Sequence, residues 1–438
     1  MSEAPRERPA PGASAAPSAT DLIHHAYQPP AGFGSPAVPV HKGSTVYFDS
    51  VAALRNHHWL DKQAYTYGLH GTPTTFTLEA RLATLEGARH VLLAPSGLAA
   101  LTTVDIALLA SGDTVLLPDN AYHPSKEFAR HELAHWGIAH RLYDPMDPAS
   151  LRAALGADVK LVWLEAPGSV TMEFPDLPAL VRTVREAAPQ AVVALDNTWG
   201  AGLAFSPFDL AGPDGQGVDL TIHALTKYPS GGGDVLMGSI ACRDDALYRR
   251  LALAHSRLGL GVGANDVELV LRALPSLPLR YAAQDAAGRR VAQWAAGQQP
   301  VIRRVLHPAM PGSPGHAHWQ ATCRAAAGLL TLEFDPAIAA DAVDAFVDGL
   351  HRFRIGWSWG GPVSLAVPYQ ASRLRQLGTP YEGVLVRLSI GLEDPDDLIA
   401  DLAAGLAPSA GRRCLEVAVA GEAVGGVHQR RGDAGLVG

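Results

Sequence analysis

Lys227 stands in His223-Ala224-Leu225-Thr226-Lys227-Tyr228-Pro229-Ser230-Gly231-Gly232-Gly233-Asp234, between an apolar strand-like run and a glycine-rich turn. A lysine drawn partly out of water holds its proton less tightly, and the free amine can form a Schiff base with an aldehyde, the linkage that tethers pyridoxal phosphate. A surface lysine on a loop is the competing account. Asp196 lies 31 positions earlier and closes the run Ala-Val-Val-Ala-Leu, at what should be the C-terminal end of a parallel strand, where open α/β sheets bind their ligands. An ordinary strand-end turn residue is the alternative. Paired with Lys227, such a carboxylate would keep a pyridine nitrogen protonated so that the ring accepts electrons.

Pro95-Ser96-Gly97-Leu98-Ala99-Ala100 reads as a small-residue turn opening a helix. Ser96, Gly97 and Leu98 could hold a phosphate at that helix start, with the Thr226 hydroxyl as a further donor. Tyr122 follows another apolar run and precedes a helix, so it can stack on a pyridine ring or be a half-buried loop tyrosine. Arg387 interrupts the apolar run 384–390. A guanidinium there needs a partner, either a substrate carboxylate taken bidentately or an internal salt bridge.

Two motifs point elsewhere. His131-Glu132-Leu133-Ala134-His135 matches the H-E-x-x-H pattern of zinc peptidases. Phe128, Leu133 and Trp136 read as the buried side of its helix, Glu127, His131 and His135 as a solvated face, and no third ligand declares itself downstream, so no metal is expected. Gly259-Leu260-Gly261-Val262-Gly263 follows a helical segment rather than a strand and is no dinucleotide fingerprint.

These residues need a scaffold. Short apolar runs at 91–93, 115–117, 161–164 and 191–195 alternate with stretches at helical spacing such as 177–184, which predicts a mainly parallel sheet with helices on both faces. Past Asn265, a candidate N-cap, long helical stretches and strand-like pieces at 329–334 and 384–390 predict a smaller α+β domain. The expected division is a tail at 1–20, an N-terminal segment at 21–75, a large domain at 76–264, a small domain at 265–408 and a second tail at 409–438.

The whole chain agrees with an enzyme scaffold. Its 438 residues are 47% hydrophobic, enough for a full core. A formal charge of −8 argues against bulk electrostatic binding of nucleic acid or anionic lipid. No apolar run is long enough for a membrane span, and no signal-peptide h-region is present. The three widely spaced cysteines, Cys242, Cys323 and Cys414, form neither a disulfide framework nor a zinc ribbon, which fits a reducing cytoplasm.

Taken in order and separation, eight stretches over roughly 26–406 resemble the pyridoxal-phosphate enzymes of cysteine and methionine metabolism: Tyr65-Thr66-Tyr67-Gly68-Leu69-His70-Gly71-Thr72, Leu85-Glu86-Gly87, Ser96-Gly97-Leu98-Ala99-Ala100, Tyr122-His123-Pro124-Ser125, Asp196-Asn197-Thr198-Trp199, Thr226-Lys227-Tyr228, Ser358-Trp359-Gly360-Gly361 and Arg387-Leu388-Ser389-Ile390-Gly391-Leu392-Glu393-Asp394. The resemblance implies the α/β, PLP-dependent transferase-like fold (fold type I) and a homotetramer built as a dimer of dimers. It implies that Lys227 tethers pyridoxal 5'-phosphate, Asp196 partners the pyridine nitrogen, Tyr122 stacks on the ring, and Gly97, Leu98 and Thr226 contact the phosphate. Tyr67 would reach across toward the phosphate in the neighbouring subunit's site, to which residues 21–75 contribute. Arg387 would clamp the substrate carboxylate, with Ser358 and Trp359 lining the same pocket.

The stretch Glu165-Ala166-Pro167-Gly168-Ser169-Val170-Thr171-Met172-Glu173 is similar to the version in members that eliminate at Cβ; members acting at Cγ usually carry Pro-Thr-Asn-Pro. The activity implied is therefore carbon–sulfur β-elimination on a sulfur amino acid such as L-cystathionine. Rivals are a γ-synthase, a γ-lyase, a β-lyase of cysteine conjugates, and a cofactor-holding regulatory protein without turnover. Two positions depart from the family pattern. Leu69 stands where the family usually has a phosphate-binding arginine, which implies either partial substitution by His70 or a lower cofactor affinity, and Gly-Gly-Gly-Asp follows the lysine where Gly-His-Ser-Asp is common.

Overall fold

The computed structural model describes residues 19–24, 32, 35, 37–60, 62, 64–210, 217–371, 374–378 and 381–407. The two tails expected at 1–20 and 409–438 lie almost wholly outside them. Seven strands form the larger sheet: β1 (His90–Ala94), β2 (Thr114–Pro118), β3 (Ala139–Tyr143), β4 (Val159–Glu165), β5 (Val192–Asp196), β6 (Leu220–Ala224) and β7 (Gly238–Cys242), in the order β1-β7-β6-β5-β4-β2-β3. The contiguous pairs from β3 through β2, β4 and β5 to β6 are parallel, whereas β7 runs antiparallel to both β6 and β1. The expected mainly parallel sheet is present, and its runs match β1, β2, β4 and β5.

The central strands are buried on both faces, which is why they read as continuous apolar runs. One core cluster joins Leu78, Leu82 and Leu85 of the helix Pro73–Glu86 to Leu180, Val181 and Val184 of the helix Leu177–Ala187; on the opposite face another joins Leu101, Val104 and Leu108 of the helix Gly97–Leu108 to Leu247 and Leu251 of the helix Asp245–Leu258. The glycine-rich stretch after that last helix is its stop: Gly259 caps it at φ 69°, a left-handed conformation that favours glycine.

A second sheet comes later in the chain, with β8 (Ile302–Leu306), β9 (Leu329–Phe334), β10 (Leu365–Gln370) and β11 (Val384–Ser389) in the antiparallel order β10-β11-β9-β8. Between the sheets runs the helix Leu277–Ala296. Its Leu277 and Tyr281 belong to a core of the larger sheet, and its Ala287, Val291, Ala292 and Ala295 to the core of the smaller one.

Two local expectations need correction. Asn265 is not the N-cap: the helix Ala264–Ala273 begins after Gly263. Trp136 is not buried; it is 44% exposed while Leu133 is fully covered. The cause is a π-turn at Ala129–Leu133, which inserts a residue into the helical repeat and rotates the later side chains off the face that ordinary spacing predicts.

Candidate active site

The C-terminal ends of the parallel strands gather the chemistry. Asp196 ends β5, and Glu165 ends β4 directly beside it in register. Thr198 fastens Asp196 from the following turn: its backbone N–H donates to Oδ1 at 2.9 Å and its hydroxyl to the same oxygen at 2.5 Å. The Thr198 hydroxyl in turn accepts from Ala224 N at 3.0 Å, so the end of β6, just before Lys227, is tied to this carboxylate. Nothing among the described residues donates to Asp196 Oδ2. Burial raises the pKa of Asp196, against the Thr198 bonds and the nearby positive charge of Lys227. Burial, then the neighbouring Asp196, pushes Glu165 well up.

Lys227 follows β6 in a tight turn. Its Nζ donates to Ser358 Oγ at 3.1 Å and lies 5.5 Å from the centre of the Trp359 ring. Among the described residues no carboxylate bonds it. Burial, with the Arg387 charge, lowers its pKa to about 8, and Asp196 opposes the shift. It is thus a lysine largely withdrawn from water, beside a hydroxyl and an aromatic ring, whose proton is held less tightly than that of an ordinary exposed lysine.

Arg387 lies on β11 and is buried. No hydrogen bond or ion pair engages it among the described residues, so it has no internal salt bridge there. The neighbour of its guanidinium is the Tyr369 ring, 5.5 Å from centroid to Cζ. Val367 pairs with Arg387 in register, and Tyr369, two residues along β10, lies on the same face of the sheet. Tyr122 joins the group from the other sheet. Its backbone N–H donates to Glu165 Oε2 at 2.8 Å, and its phenol is raised by burial and by the charges of Asp196 and Glu165, with Arg387 opposing.

The start of the helix Gly97–Leu108 faces the same strand ends. Ser96 is its N-cap, with Oγ accepting from Ala99 N at 3.0 Å. The N–H groups of Gly97 and Leu98 have no acceptor among the described residues, the pattern of an anion site. Side chains have no room beneath it: a Cβ on Gly97 would stand 2.5 Å from Ala224 Cβ, and one on Gly238 would stand 2.3 Å from Ser96 O. The Thr226 hydroxyl is shared with the Met237 backbone at 3.2 and 3.3 Å.

Tyr67 is not brought to this cluster within one chain. It is 47% exposed, bridges to Thr45 and meets the edge of His70 at 5.8 Å. His70 turns into its own chain, stacked on Trp59 at 4.3 Å and bonded to Thr66 at 2.9 Å and to Ser256 at 3.3 Å. Of the H-E-x-x-H residues, His131 lies beside Glu127 on an exposed face, and no three metal-ligating side chains converge among the described residues.

Sequence reasoning missed Tyr369 and the positioning roles of Thr198 and Glu165. The last two lie inside family-like stretches, but Tyr369 has no local signal; only the β10–β11 register places it.

A buried amine free of carboxylates, a carboxylate with one oxygen unclaimed and a helix start with free N–H groups fit a phosphorylated pyridine aldehyde, and define a cofactor-dependent enzyme of amino-acid chemistry. The chain matches the family model for Cys/Met metabolism PLP-dependent enzymes over residues 19–407, and it belongs to that family. It is 35% identical to the cystathionine beta-lyase of Escherichia coli over 84% of this chain and 92% of that protein. It is 37% identical to a putative cystathionine beta-lyase of Rhizobium johnstonii over 86% and 92%. Among solved structures it is similar to the cystathionine gamma synthase of Xanthomonas oryzae, bound to aminoacrylate and cysteine, with a TM-score of 0.78, 29% identity and coverage of 88% and 97%. The fold is the α/β, type I PLP-dependent one that the motifs imply.

Proposed function

We propose that this protein is a carbon–sulfur β-lyase that cleaves L-cystathionine with water to homocysteine, pyruvate and ammonia. The observation that carries the reading is Arg387, a buried guanidinium without a carboxylate among the described residues, close enough to Lys227 for its charge to act on it, as that of Asp196 does. Curated relatives named as cystathionine beta-lyases and the stretch 165–173 support elimination at Cβ.

Arg387 binds the substrate α-carboxylate, and Tyr369 and Tyr122 flank it. Bound pyridoxal phosphate supplies an electron sink for the charge left at Cα. Lys227 Nζ, close to neutrality in its proton affinity, takes the Cα proton and holds it beside Ser358. Asp196, fixed by Thr198, offers Oδ2 to the pyridine nitrogen; the Gly97 and Leu98 N–H groups, with Ser96 and Thr226 around them, receive the phosphate. Trp359 covers Lys227 and limits water. The thiolate leaves Cβ and takes a proton, and water releases the remaining fragment as keto acid and ammonia.

In the same reading Tyr67 serves the site of a neighbouring subunit in a homotetramer, which its exposure and its contacts with Thr45 and His70 rather than with the Lys227 cluster support. Residues 21–75 supply that reach, 76–264 the cofactor-holding domain and 265–408 the smaller domain. No helix among the described residues is long and apolar enough to cross a membrane, and we place the enzyme in the cytoplasm on its cysteine usage.

A product assay on the cofactor-saturated protein with L-cystathionine tests this. Pyruvate with homocysteine supports it. 2-Oxobutyrate with cysteine moves the protein to the γ-acting members, which the solved neighbours also include, and a loaded protein that turns over neither L-cystathionine nor a cysteine conjugate is a regulatory one.

A further inference from the structure

Arg375 touches none of the groups assigned to the reaction, yet it gathers three carboxylates. Its Nε donates to Asp119 Oδ2 at 2.9 Å, its Nη2 to Asp144 Oδ1 at 2.7 Å and its Nη1 to Glu173. The side chain is 2% exposed, that of Asp119 0% and that of Glu173 5%. Asp119 also accepts from the backbone N–H groups of Gln376 and Leu377, at 2.9 and 2.7 Å. One short segment therefore closes on a single carboxylate with a guanidinium and two amides.

The two sides of this cluster belong to different sheets. Arg375 lies in the connection between β10, which carries Tyr369, and β11, which carries Arg387. Asp119 stands three residues before Tyr122, and its carbonyl accepts from Lys126 Nζ at 2.6 Å. Glu173 accepts from Asn120 Nδ2 at 2.8 Å and from the Thr171 hydroxyl at 3.0 Å, while Ser169 N donates to Asn120 O at 2.9 Å. The stretch 168–173 is thus fastened to the loop before Tyr122, and both are fastened to Arg375.

We propose that Arg375 is a positioning residue, a latch that holds the β10–β11 pair, with Arg387 and Tyr369, against the loop that carries Tyr122, and so sets the width of the substrate slot. The inference rests on the reading that Arg387 receives the substrate carboxylate. The planar fork of a guanidinium serves three acceptors in three directions, which the point charge of a lysine ammonium cannot do. Arg375→Lys therefore keeps the charge among Asp119, Asp144 and Glu173 and loses the geometry.

The test compares Arg375→Lys and Asp144→Asn with the wild type as cofactor-loaded proteins. It measures glycine affinity by the change in cofactor absorbance, hydrogen exchange at the Ala121 and Tyr122 amides, and KM and kcat for L-cystathionine. Arg375→Lys is expected to weaken glycine binding and raise KM by about ten- to a hundredfold, the scale on which small misplacements act. Its kcat should fall less, cofactor content and Tm should stay near wild type, and the two amides should exchange faster while sheet amides do not. Asp144→Asn, at the partly exposed rim, should shift the same quantities less. A folded, loaded Arg375→Lys protein with wild-type glycine affinity and exchange overturns the latch. If that variant does not fold, Asp144→Asn decides, and unchanged glycine affinity overturns it. Loss of the lyase reading alone would appear as a wild type that binds glycine but releases no homocysteine, with the variant comparison still in force.

Discussion

The Lys227 ammonium donates to the Ser358 hydroxyl across 3.1 Å, so a turn of the larger sheet and a loop leading into the smaller one meet at the amine proposed to react. This contact gives Lys227 an uncharged companion rather than a counter-ion, and its reactivity follows from that. Replacing Lys227 with Ala should remove the absorbance of the lysine-linked cofactor and turnover together. The loss should exceed the ~100- to 10,000-fold of a proton transfer alone. Spectra and kcat on one preparation check it, and retained turnover would sink the assignment.

The same amine has a pH signature. Burial and Arg387 lower its pKa to about 8, against ~10.4 for an unperturbed lysine. Between those values the unfolded chain binds more protons than the folded one, so the cofactor-free protein should gain stability as pH rises through that window. Recombination with pyridoxal phosphate should accelerate with pH and reach half its maximum near 8. A midpoint close to that of an exposed lysine would show that the amine is not withdrawn from water.

Arg387→Ala should act on capture of substrate more than on the cofactor. Loss of a charge-assisted pair worth ~1.5–3 kcal/mol lowers kcat/KM by about ten- to a hundredfold, with cofactor content unchanged. Arg387→Lys should recover part of the loss. Unaltered kcat/KM in the alanine variant would remove Arg387 from the carboxylate role.

Tyr67 requires mixed subunits. If it serves the neighbour, Tyr67→Ala and Lys227→Ala chains refolded together form hybrids with one intact site, recovering about a quarter of wild-type activity from two poor parents. No gain over the parents would place Tyr67 outside the neighbour's site.

Asp105 gives a stability test away from the chemistry. It is buried in the helix Gly97–Leu108 and accepts from Trp163 Nε1 at 2.8 Å; burial raises its pKa to about 7. From pH ~4, where an unfolded aspartate titrates, up to that value the folded state holds the extra proton. Stability from this group is therefore lost as pH rises toward neutrality. Asp105→Asn should flatten that part of the curve in urea titrations at pH 5 and 7.5; an unchanged slope would assign it to other groups.

Much of this molecule is legible in its sequence, for physical reasons that differ from residue to residue. Lys227 and Asp196 stand out because each comes after an apolar run, and strand ends are where such sheets hold ligands. Trp136 misleads because a π-turn breaks the spacing on which burial patterns depend. The antiparallel β7 and the edge strand β3 leave weaker marks, the first glycine-led and rich in small residues, the second half exposed. Arg375 is invisible, since its partners Asp119, Asp144 and Glu173 lie more than 200 positions away along the chain, and only folding makes them neighbours.

The helix Leu277–Ala296, with its first turns in one core and its last in the other, also decides how the molecule comes apart. Melting either core strips one end of this rod of its cover, and a helix stabilised mainly by tertiary packing does not survive half-buried. The two sheets should therefore be lost in one cooperative event, with a single calorimetric peak whose enthalpy reflects both, rather than as two modules that melt in turn.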